Sequence, residues 1–304
     1  MINHIDIVIP CFNVEHIVDK CIESVLKQEC EQNISIYLIE DGSTDNTKDV
    51  LLRFSTHSKI NIIFHTKNKG LAAARNSGIK AGCGDVIFFL DSDMTVDSNW
   101  ISKFLIFLMD KDVKGIVGEQ KLPSELNETP LDKYLYSNYR GARQFGEHDF
   151  IHFKYFLFSN TCVRRSVFNE VGVFDEKFRT YGGEDTDLAL RIWKKYSEGF
   201  RFSRKSISYH WNQKSKIDFY KNMELYGNNN YKYLIEKHPE YKKDFGGGLI
   251  DSFIGKILFN YIISNIIFYL DQRLDHPVLT RYMTIFSTIK GAKKTSPKDD
   301  VLQK

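Results

Sequence analysis

The sequence predicts an α/β fold, a mostly parallel sheet flanked by helices, and three observations carry that prediction. Short apolar runs alternate with segments whose apolar residues recur at helical spacing through the first hundred positions. One run, Val86-Ile87-Phe88-Phe89-Leu90, is apolar throughout, as a strand buried on both faces is. Each run ends in a polar turn, and parallel order brings such turns to one rim, where ligands bind in open α/β sheets.

Taken in order, residues 5–10 read as the first strand, and Ile17, Val18, Cys21, Ile22, Val25 and Leu26 follow as a helix face. Residues 36–39 form a second strand, closed by Glu40-Asp41-Gly42-Ser43-Thr44-Asp45, small polar residues of the kind that cap a helix. Residues 60–64 are a third strand, 71–80 a short Ala-rich helix and 86–90 the central strand. Residues 99–109 predict a further helix, after which the alternation lapses. The stretch 119–158 is aromatic and polar, with Tyr134, Tyr136, Tyr139 and Tyr155 fit either to frame a sugar-sized ligand or to pack as a layer. Helices are expected at 164–171 and 185–196 and a brief strand at 207–210.

From Ser215 the pattern is wholly helical, so a sheet domain over 1–212 and a helical extension over 213–304 are expected. Gly246-Gly247-Gly248 marks a hinge. Beyond it Leu249, Ile250, Phe253, Ile254, Ile257, Leu258, Tyr261, Ile262 and Ile266 form one apolar stripe. Three uses fit that stripe, of which packing on the rest of the chain is the default. The others are pairing with a second copy and lying in a membrane interface through 249–270. Residues 293–304 read as a solvated tail.

Composition narrows the function. Lys and Arg total 42 against 39 Asp and Glu, and a net charge of +3 gives no ground for a nucleic-acid partner. Five cysteines, Cys11, Cys21, Cys30, Cys83 and Cys162, are odd in number and contain no Cys-x-x-Cys pair, which favours reduced thiols in a cytoplasmic protein. Residues 1–10 read as a strand rather than a signal peptide, and no run is long enough to span a membrane.

The chemistry gathers at four turns. Asp91 and Asp93 place two carboxylates at the end of the central strand, a natural seat for Mg²⁺ or Mn²⁺ that completes its shell with water and phosphate oxygens. Asp41 can accept from a base edge or cap the next helix. Arg75 can meet a phosphate or sit in a surface ion pair.

Read together, these turns resemble the family-2 glycosyltransferases of the GT-A fold. The matching runs are Val8-Ile9-Pro10-Cys11-Phe12-Asn13, Glu40-Asp41-Gly42-Ser43-Thr44-Asp45, Asn68-Lys69-Gly70 with Ala74-Arg75-Asn76-Ser77-Gly78, and Asp91-Ser92-Asp93. Further on, Gly172-Val173-Phe174-Asp175-Glu176 and Gly182-Gly183-Glu184-Asp185-Thr186-Asp187-Leu188 resemble galactosyltransferase-like and polysaccharide-polymerase-like members. The resemblance implies that Pro10, Phe12 and Asp41 hold the uridine of a UDP-sugar, that Arg75 lies near its diphosphate or donor sugar, and that Asn68 and Asp91 also belong to the donor site. It implies Mn²⁺ or Mg²⁺ on Asp93, with Asp91 directly or through water and His210 as a third ligand. Asp185 corresponds to the catalytic base of inverting members, and Glu184 and Tyr181 to acceptor contacts. The implied acceptor is a saccharide or lipid-linked saccharide, in surface polysaccharide synthesis at the inner face of a membrane. Two departures are Glu40, where many relatives carry Asp, and Tyr181, where several carry Trp.

Two other readings compete. A haloacid-dehalogenase-type phosphatase would use Asp91 as nucleophile, but it leaves the polar turns at 10–13, 41–45 and 68–76 without a purpose. A non-catalytic nucleotide-sugar-binding module would not need Asp93, Asp185 and His210.

Overall fold

The computed structural model describes residues 2–294, so the tail expected at 293–304 lies outside the described residues beyond Lys294. Eight strands form one sheet: β1 (His4–Cys11), β2 (Asn33–Glu40), β3 (Ile60–Phe64), β4 (Val86–Leu90), β5 (Met94–Val96), β6 (Gly115–Lys121), β7 (Asn160–Arg164) and β8 (Phe200–His210). Their order is β3-β2-β1-β4-β7-β6-β8-β5. The first four run parallel, β7 runs antiparallel between β4 and β6, and β5 lies antiparallel on β8 at the edge.

The helices are α1 (Val18–Leu26), α2 (Thr47–Leu52), α3 (Leu71–Ala81), α4 (Trp100–Leu105), α5 (Pro130–Leu135), α6 (Arg165–Val171) and α7 (Glu184–Lys195). The later ones are α8 (Lys216–Asn228), α9 (Asn230–Lys237), α10 (Gly247–Asp251), α11 (Phe253–Leu258), α12 (Tyr261–Asp271) and α13 (Pro277–Lys293). The chain divides into two compact units. One holds the chain to residue 127 with 138–179 and 184–212; the other holds 128–137, 180–183 and the residues from 213.

In the first unit the central strand is buried on both faces, as its composition requires. On one face Phe88 meets Trp100 and Phe104 edge-on, at ring distances of 5.0 and 5.4 Å. On the other, Phe89 meets Phe158, Phe168 and Phe174 in the same geometry. Gly78 lets α3 lie close on the sheet, since a Cβ there would stand 2.5 Å from Val8 Cγ1.

In the second unit α8 and α13 pack at glycines for the same reason. A Cβ on Gly227 would come 2.1 Å from Thr288 O, and one on Gly291 2.0 Å from Glu224 O. Leu131, Tyr134, Phe219, Tyr220, Phe259, Met283, Phe286 and Ile289 form its core.

Three expectations need correction. The helix at 99–109 ends at Leu105 and continues only as a 3₁₀ turn, Phe107–Met109. The brief strand at 207–210 is the end of the eleven-residue β8. The stripe from Leu249 to Ile266 is broken into α10, α11 and α12, because Ser252 and Asn260 each cap a new helix, accepting from Gly255 N and Ile263 N. Most of the stripe is exposed rather than packed. The glycine triplet begins α10, with Gly246 left-handed at φ 78°. Among the described residues no helix is long and apolar enough to cross a membrane.

Candidate active site

Register brings the turns together. Cys11 pairs with Glu40 and Glu40 with Phe64, so β1, β2 and β3 end level, with β4 alongside β1. Cross-links fix the loops to one another. Asn13, at φ 53°, accepts from Thr44 N through Oδ1 at 2.8 Å, and its own N–H donates to Ser43 Oγ at 3.1 Å. Gly42 lies at φ +68°, where a Cβ would stand 2.4 Å from the Lys67 and Asn68 backbone.

Asp41 is buried, and its carboxylate is held by the turn that leads into α3. Its Oδ1 accepts from Lys69 N at 2.9 Å and its Oδ2 from Gly70 N at 2.9 Å. His65 Nδ1 lies 2.6 Å from Oδ1, and His65 Nε2 lies 2.9 Å from Ser77 Oγ. The cause is local. Gly70 precedes α3, whose first N–H groups lack helical partners, and a buried carboxylate satisfies the loop that leads into them. Pro10 is half-buried at the end of β1, while Phe12 and Asn68 are exposed.

Arg75 is the centre of the site and is only 1% exposed. Its Nη1 lies 2.6 Å from Asp185 Oδ1 and 3.5 Å from Glu184 Oε1, and its Nη2 lies 3.3 Å from Asp91 Oδ1. Nη2 also donates to Phe158 O at 3.2 Å, and Phe158 N donates to Asp185 Oδ2 at 3.0 Å. The guanidinium is therefore engaged by carboxylates from the end of β4 and from α7, a buried ion pair rather than a surface one. It cannot neutralise all three carboxylates. Burial, and then Asp185 beside it, raises Glu184 to about 8, and burial raises Asp91 to about 6 against the pull of Arg75. Glu184 Oε2 is buried with no hydrogen-bond partner, so no donor there stabilises the charged form.

Asp93 and His210 meet because β5 and β8 pair antiparallel with Met94 opposite His210. His210 Nε2 lies 3.2 Å from Asp93 Oδ2, and Trp211 N donates to Asp93 O at 2.9 Å. Among the described residues no group of three His, Cys, Asp or Glu side chains could hold a metal. Tyr181 belongs to the second unit, where Lys214 Nζ lies 5.6 Å from its ring centre.

Three residues of this constellation carried no assigned role in the sequence. His65 steadies Asp41, and its signal is a polar residue directly after an apolar strand. Phe158 acts through its backbone, which no residue type announces. Asn76 joins the two distant motifs: its Oδ1 accepts from Phe174 N at 3.0 Å and its Nδ2 donates to Phe174 O at 2.9 Å. All five cysteines are free, and burial raises the thiols of Cys11, Cys21 and Cys162.

The fold is that of the GT-A glycosyltransferases. The crystal structure of S. aureus TarS 1-349 in complex with UDP-GlcNAc superposes with a TM-score of 0.58 at 13% identity, covering 95% of this chain and 90% of that one. The mannosyltransferase PcManGT from Pyrobaculum calidifontis, in complex with GDP-Man and Mn²⁺, gives 0.64 at 13% identity, covering 95% of this chain and 85% of that one. Residues 6–172 match the model of glycosyl transferase family 2, and residues 150–214 that of the N-terminal domain of galactosyltransferase. The chain belongs to glycosyl transferase family 2.

Among curated relatives, glycosyltransferase GlyG of Streptococcus pneumoniae is 30% identical over 180 residues, 55% of this chain and 58% of its own length. Chondroitin synthase of Pasteurella multocida is 24% identical over 222 residues, 63% of this chain and 23% of its own length. The chain thus spans less than two thirds of either relative. Membership displaces the phosphatase reading of Asp91, since Asp91-Ser92-Asp93 lies inside the matched family region.

Proposed function

We propose that this chain is an inverting, divalent-metal-dependent glycosyltransferase. It moves a sugar from a UDP-sugar to a hydroxyl of a saccharide or lipid-linked saccharide, in the synthesis of a surface polysaccharide or glycoconjugate. The observation that carries the reading is the setting of Asp185. One oxygen is held by Arg75 and the other by the Phe158 N–H, and the same guanidinium reaches Asp91 at the end of β4. A carboxylate so fixed keeps lone pairs for a third partner.

Asp185 takes the proton of the acceptor hydroxyl as that oxygen attacks the anomeric carbon, and the bond to the diphosphate breaks on the opposite side. A single displacement inverts the centre. Phe12 offers an exposed ring to the base beside Pro10, and Asn68 an exposed amide, on a loop that Asp41 holds from beneath. Glu184, held protonated, donates a hydrogen bond on the acceptor side, and Tyr181 offers a ring face to a sugar.

Asp93 Oδ2 and His210 Nε2, 3.2 Å apart, supply one hard oxygen and one imidazole nitrogen. Mg²⁺ or Mn²⁺ that keeps water and takes diphosphate oxygens needs only one or two protein ligands, so the pair fits. Asp91, committed to Arg75 through Oδ1, would act through water. Bound there, the cation would neutralise charge on the leaving diphosphate. The UDP and UDP-GlcNAc complexes of TarS support a uridine donor, and the GDP-Man complex of PcManGT supports a divalent ion.

A panel of nucleotide sugars, followed by NMR of the anomeric proton of the product, tests the reading. The expected result is UDP release with a product of inverted anomeric configuration. Retention would exclude the single displacement. Binding without turnover on any acceptor would make the chain a binding module.

A further inference from the structure

The second unit contains a helix whose polarity is reversed. In α12, Tyr261–Asp271, the buried residues are Ser264 and Asp271, while Ile262, Ile266, Phe268 and Tyr269 are exposed. Two of its polar side chains, Ser264 and Asp271, have internal partners, while Asn265 is exposed. Asp271 takes Lys216 Nζ at 3.1 Å, Tyr220 OH at 2.7 Å and Thr280 Oγ1 at 2.9 Å, and Ser264 Oγ lies 2.9 Å from Tyr282 OH. A surface helix in water shows the opposite arrangement. Exposed apolar residues also stand in the preceding α11, where Phe253 is 77% exposed, against 75% for Ile262 in α12. Single exposed apolar residues are ordinary, but a run of them across two helices marks an interaction surface.

Charge selects the occupant. The exposed charged residues between 252 and 281 are Lys256, Arg273, Arg281 and Asp275, three cations against one anion. Arg273 lies over the Tyr269 ring at 4.1 Å, so a cation and an aromatic ring stand together at the edge of the face. A second copy would carry the same excess of cations, with Asp275 the one exposed carboxylate in this span to meet them. Anionic headgroups would take them, with the apolar side chains below. We propose that the exposed face of α11 and α12 lies in the interface of an anionic membrane, as a surface contact and not a span. This inference concerns the second unit alone and stands apart from the transfer reaction.

Flotation of the full chain with vesicles tests it, using phosphatidylcholine alone and phosphatidylcholine with phosphatidylglycerol. The chain should float with the anionic vesicles, more weakly in high salt, and each cation contributes roughly a fivefold rise in partition. The double variant Phe253→Asp/Ile262→Asp should lower that partition by about tenfold or more. Both positions are exposed, so its circular dichroism and melting temperature should match those of the parent. Failure of the parent to float with anionic vesicles would overturn the proposal. So would equal flotation of a folded double variant. Sedimentation gives the remaining outcome: a dimer that the double variant dissolves, without vesicle binding, would assign the face to a second copy.

Discussion

Asp185, Glu184 and Asp91 share one buried cation, and that inequality sets the character of each. Asp185 has the tightest contact with Arg75 and a backbone donor besides, the setting on which its proposed role as base rests. Asp185→Asn keeps the shape but cannot take a proton, so kcat should fall by roughly 10²–10⁴ with donor affinity hardly changed. A loss confined to KM would make it a binding residue. Glu184 carries a stability signature. An ordinary glutamate titrates near 4.5, and this one is raised to about 8, so the folded state holds a proton that the unfolded chain releases. Its contribution is therefore fully present below about 4.5 and is lost as pH rises through about 8. Thermal melts across that window should show the parent losing stability and Glu184→Gln lacking that part of the slope. Identical slopes would mean that Glu184 is ionised throughout.

At the scale of elements, loops and helix contacts depend on single glycines. In Gly42→Ala the methyl group would meet the Lys67 and Asn68 backbone, and the residue would have to keep φ +68°. The cost should be about 1–3 kcal/mol, with KM for the nucleotide sugar raised because the 67–70 loop shifts. Gly291→Ala should lower the melting temperature by separating α8 from α13, while Gly248→Ala, with nothing within 4 Å of its Cβ, should not. Equal melting of the two variants would contradict the packing.

The parallel half of the sheet was legible because β1, β2, β3 and β4 are apolar runs closed by polar turns. β6 and β7 were not. Gly115, Glu119 and Gln120 dilute the first, and Asn160 and Thr161, both buried, polarise the second, Asn160 bonding to Trp100, Glu119 and Ser206, all distant in sequence. Asp93 and His210 were legible as residue types, but their meeting depends on β5, three residues long and hidden in a turn. The inward turn of Asp41 was hidden because its partners, Lys69 and Gly70, contribute backbone N–H groups.

At the scale of the molecule, the proposed donor chemistry belongs to the strand ends of the sheet unit and the proposed membrane contact to the helical unit. In the proposed function the Asp93–His210 pair would seat a divalent ion on the donor diphosphate. The most direct measurement is the affinity for UDP, by calorimetry, with Mn²⁺ and with excess chelator, in the parent and in Asp93→Ala. UDP binding in the parent should depend on Mn²⁺, with little Mn²⁺ effect in a variant that melts normally. Equal UDP affinity of the parent with Mn²⁺ and with chelator, together with undiminished turnover in chelator, would contradict it.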